Sequence, residues 1–245
     1  MSDLNPPMGR SVALVTGATN GIGRDVALKL AEQGHAVLVH GRDESRGAAV
    51  VKQITETGGT AKFIAADLTD LEALNGLAAA AGDVDVLVNN AGFSWFGPTA
   101  DLAADTFDAL FAANVRSAYY LTAALAPKMA ARGTGSIINL GSMVGQIGLP
   151  GSAAYGATKA ALAALTRAWA AEFSPSGVRI NTIAPGPAYT AGAAADRIAA
   201  LGKTTLLDRA AAADEIADVI AFLASPQAGY ITGALIPADG GRTAV

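Results

Sequence analysis

Short apolar runs rich in β-branched residues alternate along the chain with longer, alanine-rich stretches of helical spacing. The runs at Val12–Val15, Ala36–His40, Phe63–Ala65, Val84–Val88, Ser136–Leu140, Val178–Ile183 and Ala234–Ile236 are too short for helices and read as strands. Several are apolar at successive positions instead of alternate ones, as expected of strands covered by helices on both faces. Helices are expected at Gly21–Gln33, Ser45–Thr57, Leu71–Ala80, Ala104–Ala112, Arg116–Ala131, Ala153–Phe173 and Ala213–Ala224, with Gly34, Gly58 and Gly82 placed as stops. The repeated strand-helix rhythm predicts an α/β fold, a doubly wound parallel sheet of seven strands with helices on both sides.

Length and composition narrow this picture. A chain of 245 residues, 51% hydrophobic and 16% charged, suits one well-filled domain. No repeat or linker divides it, so residues 11–245 are expected to form one catalytic domain and residues 1–10 an N-terminal extension. The net charge of -4 with no basic run argues against nucleic acid as a partner, because such binding displaces counterions with a basic face. With no cysteine and only His35 and His40, disulfides, thiolate chemistry and a bound metal are not expected. No segment has the pattern of a secretion signal or the ~20 apolar residues of a membrane span. No membrane partner and a cytoplasmic location are expected.

The chemistry collects in loops that follow strands, where open α/β sheets bind ligands. Thr16-Gly17-Ala18-Thr19-Asn20-Gly21-Ile22-Gly23 joins the first strand to the first helix, so backbone N–H groups and a helix N-terminus can receive a pyrophosphate. The second strand ends in His40-Gly41-Arg42, where an acid that binds adenosine ribose hydroxyls usually stands. In its place Gly41 leaves room and Arg42 offers a permanently charged fork for a 2'-phosphate, which favours NADP(H) over NAD(H). The opposing reading is a solvated Arg42 neutralised by Asp43. Asp67, beside Leu68, is expected to accept from the adenine amino group or to cap a helix, and Asn89-Asn90-Ala91-Gly92 lets a cofactor lie against the backbone.

A second constellation points to proton transfer. Tyr155 and Lys159 are four residues apart in an expected helix and share a face. A cation about 4 Å from a phenol at an effective dielectric of ~20 contributes about 4 kcal/mol, enough to bring Tyr155 toward neutral pH. Ser142 lies just beyond the fifth strand, where its hydroxyl can polarise a carbonyl. Asn114, expected at or near a helix start, is either a cap or a satisfied helix residue, or it holds a water beside Lys159 and links the site to solvent. Pro185-Gly186, with Ala188 and Thr190 following, would turn the chain over a nicotinamide.

Together these residues resemble the short-chain dehydrogenase/reductase family, and its 3-oxoacyl-(acyl-carrier-protein) reductase-like members in particular. The resemblance rests on T-G-x-x-x-G-I-G at Thr16–Gly23, N-N-A-G at Asn89–Gly92, Asn114, Ser142 thirteen residues before Tyr155, Y-x-x-x-K, and Asp239-Gly240-Gly241 near the end. It implies a Rossmann-like sheet and a tetrad in which Ser142 binds the substrate oxygen, Tyr155 transfers the proton, Lys159 lowers its pKa and orients the nicotinamide ribose, and Asn114 maintains a proton relay. It also implies a homotetramer built on the helices around Arg116–Ala131 and Ala153–Phe173. Two departures matter: the family's frequent basic residue before the second loop glycine is Asn20, and Ser174-Pro175-Ser176-Gly177 lacks the basic residue often found in acyl-carrier reductases.

Substrate contacts are expected from Ser94, Trp95 and Phe96, from Met143, Val144 and Gln146, and from Tyr189–Leu207. Their mostly apolar character suggests an uncharged, fairly hydrophobic ketone or secondary alcohol. Gly192 and Gly202 suit a segment that closes on ligand. The leading expectation is NADPH-dependent carbonyl reduction. The alternatives are an NAD(P)-dependent dehydrogenase oxidising a polyol, sterol or sugar alcohol, and a non-catalytic nucleotide sensor; a sensor would need only the phosphate loop.

Overall fold

The computed structural model describes residues 10–190 and 194–245. Seven strands form one sheet: β1 (Val12–Val15), β2 (Ala36–Gly41), β3 (Thr60–Ala65), β4 (Val86–Asn89), β5 (Gly135–Leu140), β6 (Val178–Pro185) and β7 (Leu235–Ala238). All pair in parallel in the order β3-β2-β1-β4-β5-β6-β7. The direction of strand addition reverses between β1 and β4, opening a crevice at their carboxyl ends.

Helices α1 (Gly21–Glu32), α2 (Glu44–Glu56), α3 (Leu71–Ala81), α4 (Ala104–Phe111), α5 (Ser117–Arg132), α6 (Ala153–Phe173), α7 (Ala195–Gly202) and α8 (Ala213–Ala224) connect the strands. The strands explain their own uninterrupted hydrophobicity, because successive residues feed opposite layers. Ala13 and Val15, Val37 and Val39, and Val86 and Val88 pack with α1 and α8, whereas Leu14, Leu87 and Ile137 pack with α3, α5 and α6. Burial of these side chains, at about 25 cal/mol per Å² of apolar surface, is what holds the two layers on the sheet.

Boundaries match the sequence expectation within a few residues, and α6 and α8 match it outright. Two elements differ. Residues 112–116 form a π turn that joins α4 to α5 in one continuous rod, so Asn114 lies inside a helix and not at its start. The helix α7 falls in a segment expected to be a closing loop, where alanines carry little periodic signal; Gly192 lies outside the described residues.

Candidate active site

The loop after β1 is shaped for close approach. Gly17 and Gly21 have φ of +64° and +51°, a region that side chains disfavour. A Cβ on Gly17 would also stand 3.0 Å from Ala91 Cα, and one on Gly23 would collide with Asn90 and the Gly17 carbonyl. Thr16 Oγ1 accepts the backbone N–H groups of Asn90 and Ala91, each at 2.9 Å, and Asn90 Nδ2 donates to the carbonyls of Thr16 and Gly17 at 2.8 and 3.1 Å. The Asn90 amide is therefore a clamp that sets the loop. Asn20 precedes α1 without a side-chain capping bond, so the first-turn N–H groups of α1 are the donors a pyrophosphate would take. Ile22 packs against the core beneath, and Thr190 lies across the loop, its Cβ 3.3 Å from where a Gly21 Cβ would be.

His40 braces the same loop, a role that sequence reasoning missed. The Gly17 N–H donates to His40 Nδ1 at 3.2 Å, Nε2 meets the Ala66 carbonyl at 3.1 Å, and the Ala18 N–H donates to the His40 carbonyl at 2.8 Å. These partners fix the neutral tautomer with the proton on Nε2, and burial lowers the imidazole pKa. The only hint in the sequence was a polar residue in a buried strand.

At the end of β2, Gly41 gives space to the Thr19 side chain and the Arg42 side chain is 79% exposed. Asp43 does not neutralise it: Asp43 caps α2 through the Arg46 N–H at 2.9 Å and pairs with Arg46 Nε at 2.8 Å. Arg42 is instead 4.0 Å from Asp67 Oδ2. Asp67 Oδ1 accepts the N–H and hydroxyl of Thr69 at 2.9 and 2.8 Å, and these bonds hold the carboxyl below its ordinary pKa. Capping of α3 belongs to Asp70, which accepts the Glu72 N–H, while Leu68 is buried.

The expected contact of Asn89 with cofactor needs correction at the side-chain level. Asn89 Nδ2 donates to Asn139 Oδ1 at 2.9 Å and to Thr122 at 3.3 Å, inside a buried network that continues through Asn139 and Thr166 to Thr182. Its amide faces the α5-α6 layer, away from the crevice. Beyond Pro185, Gly186 packs on Asp239, whose Cα would be 2.6 Å from an added Cβ, and Ala188 bridges to Ala211.

The tetrad residues converge at the carboxyl end of β5. Ser142 precedes a 3-10 turn, Met143–Gly145, and that turn is pressed directly onto α6. A Cβ on Gly145 would stand 2.9 Å from the Ala160 nitrogen, and one on Gly156 would stand 2.7 Å from the Val144 carbonyl oxygen. Two missing methyl groups thus let Ser142 sit beside Tyr155. Burial pushes the Tyr155 phenol above its ordinary pKa, and the neighbouring Ser142 hydroxyl opposes that rise.

Lys159 is buried, donates from Nζ to the Leu140 carbonyl at 2.6 Å, and lies 5.7 Å from the centre of the Tyr155 ring. Burial brings its own pKa down to about 8. Burial is the first cause acting on both groups, raising the phenol and lowering the ammonium, and at Tyr155 the Ser142 hydroxyl works against it. Asn114 is fully engaged. Its Oδ1 accepts the Phe93 N–H at 2.9 Å, and its Nδ2 donates to the Phe93 carbonyl at 2.9 Å and to Thr158 Oγ1 at 3.1 Å. Thr158 in turn donates to the Tyr155 carbonyl at 2.7 Å, so Asn114 ties the loop after β4 to the turn of α6 that carries Tyr155. Gly92 permits this, since an added Cβ would meet Asn114 Oδ1 at 2.5 Å.

Of the expected substrate contacts, Ser94, Gln146 and Tyr189 are exposed. Met143 is only 6% exposed, turned into the body. Trp95 folds over Gly97, its Cζ2 2.8 Å from an added Cβ there. Phe96 stacks edge-to-face on Tyr155 with ring centres 5.6 Å apart.

A parallel sheet with a phosphate loop at its switch point and a Ser-Tyr-Lys cluster beyond β5 defines a nucleotide-dependent oxidoreductase. Residues 17–243 match the family model described as enoyl-(acyl carrier protein) reductase, and the chain belongs to the short-chain dehydrogenase/reductase family. A cis-4-hydroxycyclohexanecarboxylate dehydrogenase from Sinomonas cyclohexanicum is 37% identical over 96% of this chain and 97% of its own. A 3-oxoacyl-[acyl-carrier-protein] reductase from Staphylococcus aureus is 36% identical over 94% and 96%. A crystal structure from Beutenbergia cavernae, described as an NAD(P)-dependent gluconate 5-dehydrogenase with NADP at low occupancy, superposes with a TM-score of 0.91 at 37% identity, covering 97% of this chain and 98% of its own. The protein is thus an oxidoreductase acting on alcohols or ketones, in a family that uses NAD(P) cofactors.

Proposed function

We propose that the protein is an NADPH-dependent carbonyl reductase in which Ser142 and Tyr155 activate the substrate oxygen. The observation that carries this reading is the Ser142-Tyr155 pair, clamped by the contact of Gly145 and Gly156 with their neighbours across the turn. A phenol beside a hydroxyl donor can pass its proton to a substrate oxygen as charge develops there, which is what reduction requires. Ser142 would donate to the carbonyl oxygen as charge develops on it, and Tyr155 would deliver the proton.

The cradle made by Gly17, Gly21 and Gly23 fits a pyrophosphate, Arg42 fits a 2'-phosphate, and the buried Lys159 ammonium, with further donors to give, fits ribose hydroxyls. When bound, the dinucleotide supplies the hydride. Asn114 holds the Phe93 and Tyr155 backbones in place, and Asp67, Thr190 and the Pro185-Gly186 turn border the same crevice.

The oxidative reading is favoured by one observation: the Sinomonas relative is a dehydrogenase of a ring alcohol. Two measurements separate the readings. Tyr155→Phe is expected to abolish turnover of ketones while NADPH still binds, and Arg42→Ala is expected to remove a preference for NADPH over NADH. Equal binding of both cofactors by the wild type, with alcohols oxidised and ketones untouched, would favour the dehydrogenase.

A homotetramer is part of this proposal. Phe107, Tyr119 and Tyr120 are each more than 40% exposed on α4 and α5, and Tyr119 packs against Trp169 of α6, an outer apolar face suited to a second copy. Among the described residues no helix is long and apolar enough to cross a membrane.

A further inference from the structure

We infer that Arg197 is a specificity-determining residue that selects substrates carrying a carboxylate one ring or a short chain away from the reacting carbon. This inference rests on the carbonyl-oxidoreductase reading above and replaces the uncharged substrate expected from sequence.

Arg197 lies in the first turn of α7, a helix pinned at its far end where Gly202 packs tightly on Arg209 and Ala210. From there its guanidinium reaches across the cleft to the loop after β4 and sits 4.7 Å above the centre of the Phe96 ring. Phe96 in turn packs edge-to-face on Tyr155. One aromatic ring therefore lies between this exposed cation and the Tyr155 phenol. Arg197 and Phe96 come from segments about a hundred residues apart, so a molecule lying along Phe96 with its oxygen toward Tyr155 would bring its far end within reach of the guanidinium.

Arg46, Arg132 and Arg209 are engaged by acids, in Arg46-Asp43, Arg132-Asp83 and Arg209-Glu215, whereas Arg116 and Arg179 donate to backbone carbonyls. Among the described residues Arg197 has no such partner, although Asp196 is its neighbour in sequence. Stacking on Phe96 orders the guanidinium without satisfying its five donors. A planar fork, held over an apolar wall at the mouth of a cleft, is the arrangement that binds a carboxylate in bidentate fashion.

The test is steady-state kinetics with linear and cyclic keto acids of five to seven carbons, each compared with its methyl ester, using NADPH and NADH. The free acids are expected to be reduced with a kcat/KM at least tenfold above their esters. Arg197→Met should remove that advantage chiefly by raising KM for the acid, with ester kinetics and the KM for NADPH changed less than twofold, and Arg197→Lys should keep most of it. Equal treatment of acids and esters by the wild type, or a parallel loss for both in Arg197→Met, overturns the inference while leaving the reductase reading intact. Failure to reduce any acid or ester with either dinucleotide overturns the reductase reading, and the inference falls with it.

Discussion

His40 and Gly17 are joined by a hydrogen bond of 3.2 Å from the Gly17 N–H to Nδ1 of the imidazole, while the opposite ring nitrogen reaches Ala66. One side chain at the end of β2 therefore sets the phosphate loop on one side and the loop carrying Asp67 on the other. The ring can do this only when neutral, because a protonated Nδ1 is a donor and would face the Gly17 N–H.

Replacing His40 by Phe keeps the ring volume and leaves the Gly17 N–H unpaired, a loss of about 1–3 kcal/mol. The expected outcome is weaker NADPH binding, measured by fluorescence titration, with the circular dichroism of the sheet retained. An unchanged Kd would show that the loop holds its shape without the imidazole.

Burial holds the folded-state pKa of both His35 and His40 below the ordinary imidazole value of 6.5. As pH falls through about 6.5 the unfolded chain takes up protons before the folded one, so stability falls. Thermal unfolding is expected to give a Tm that declines as pH drops below 6.5, and His40→Phe should flatten part of that decline.

The Lys159 ammonium is costly to bury. With a folded pKa of about 8 against 10.5 when free, the unfolded state binds more protons between those two values and stability rises with pH across that window. Below pH 8 the full cost is present, on the order of 3 kcal/mol, so Lys159→Met is expected to raise Tm at pH 7 even as it removes activity. The gain should shrink toward pH 10. Equal Tm values for wild type and variant at both pH extremes would mean that the ammonium stays solvated in the folded protein.

Gly145→Ala places a methyl 2.9 Å from the Ala160 nitrogen, and overpacking of this kind costs ~1–3 kcal/mol. The turn carrying Ser142 must then back away from α6. A fall in kcat larger than any rise in KM is expected, with NADPH affinity retained; a purely structural effect would lower Tm and leave kcat per folded molecule unchanged.

A charge on the outer face of α5 tests the assembly. Tyr120→Glu is expected to lower the mass measured by light scattering to that of a smaller oligomer or monomer, since an interface core does not accept an unpaired carboxylate. Unchanged mass would remove this face from the proposed tetramer.

Much of this architecture was legible because the relevant signals are local. Runs such as Val12–Val15 and the glycine stops that follow α1 to α3 depend on neighbouring residues, and the Thr16–Gly23 and Tyr155-Lys159 spacings carry their chemistry on their face. What escaped depends on contacts distant in sequence. His40 gains its role from Gly17, 23 residues away, and Asn89 turns inward because Asn139 waits 50 residues on. The depth at which Lys159 is buried, which brings its own pKa down, is likewise not written in a four-residue spacing. Alanine-rich α7 gave no period by which Arg197 could be aimed.

The π turn at residues 112–116 adds a residue to one turn of an otherwise regular rod, so the faces of α4 and α5 run out of phase on either side of it. Asn114 sits at that slip, and its aim at Phe93 and Thr158 is a matter of winding as much as of side-chain identity. Removing a single neighbouring alanine, such as Ala112, would let the rod relax to an uninterrupted α-helix that keeps the faces of α4 and α5 where they are, while drawing Asn114 out of the widened turn that aims it. The loop after β4 and the turn bearing Tyr155 would then lose their common tether with no functional side chain altered, so tolerance of substitution and tolerance of deletion should diverge sharply in this stretch.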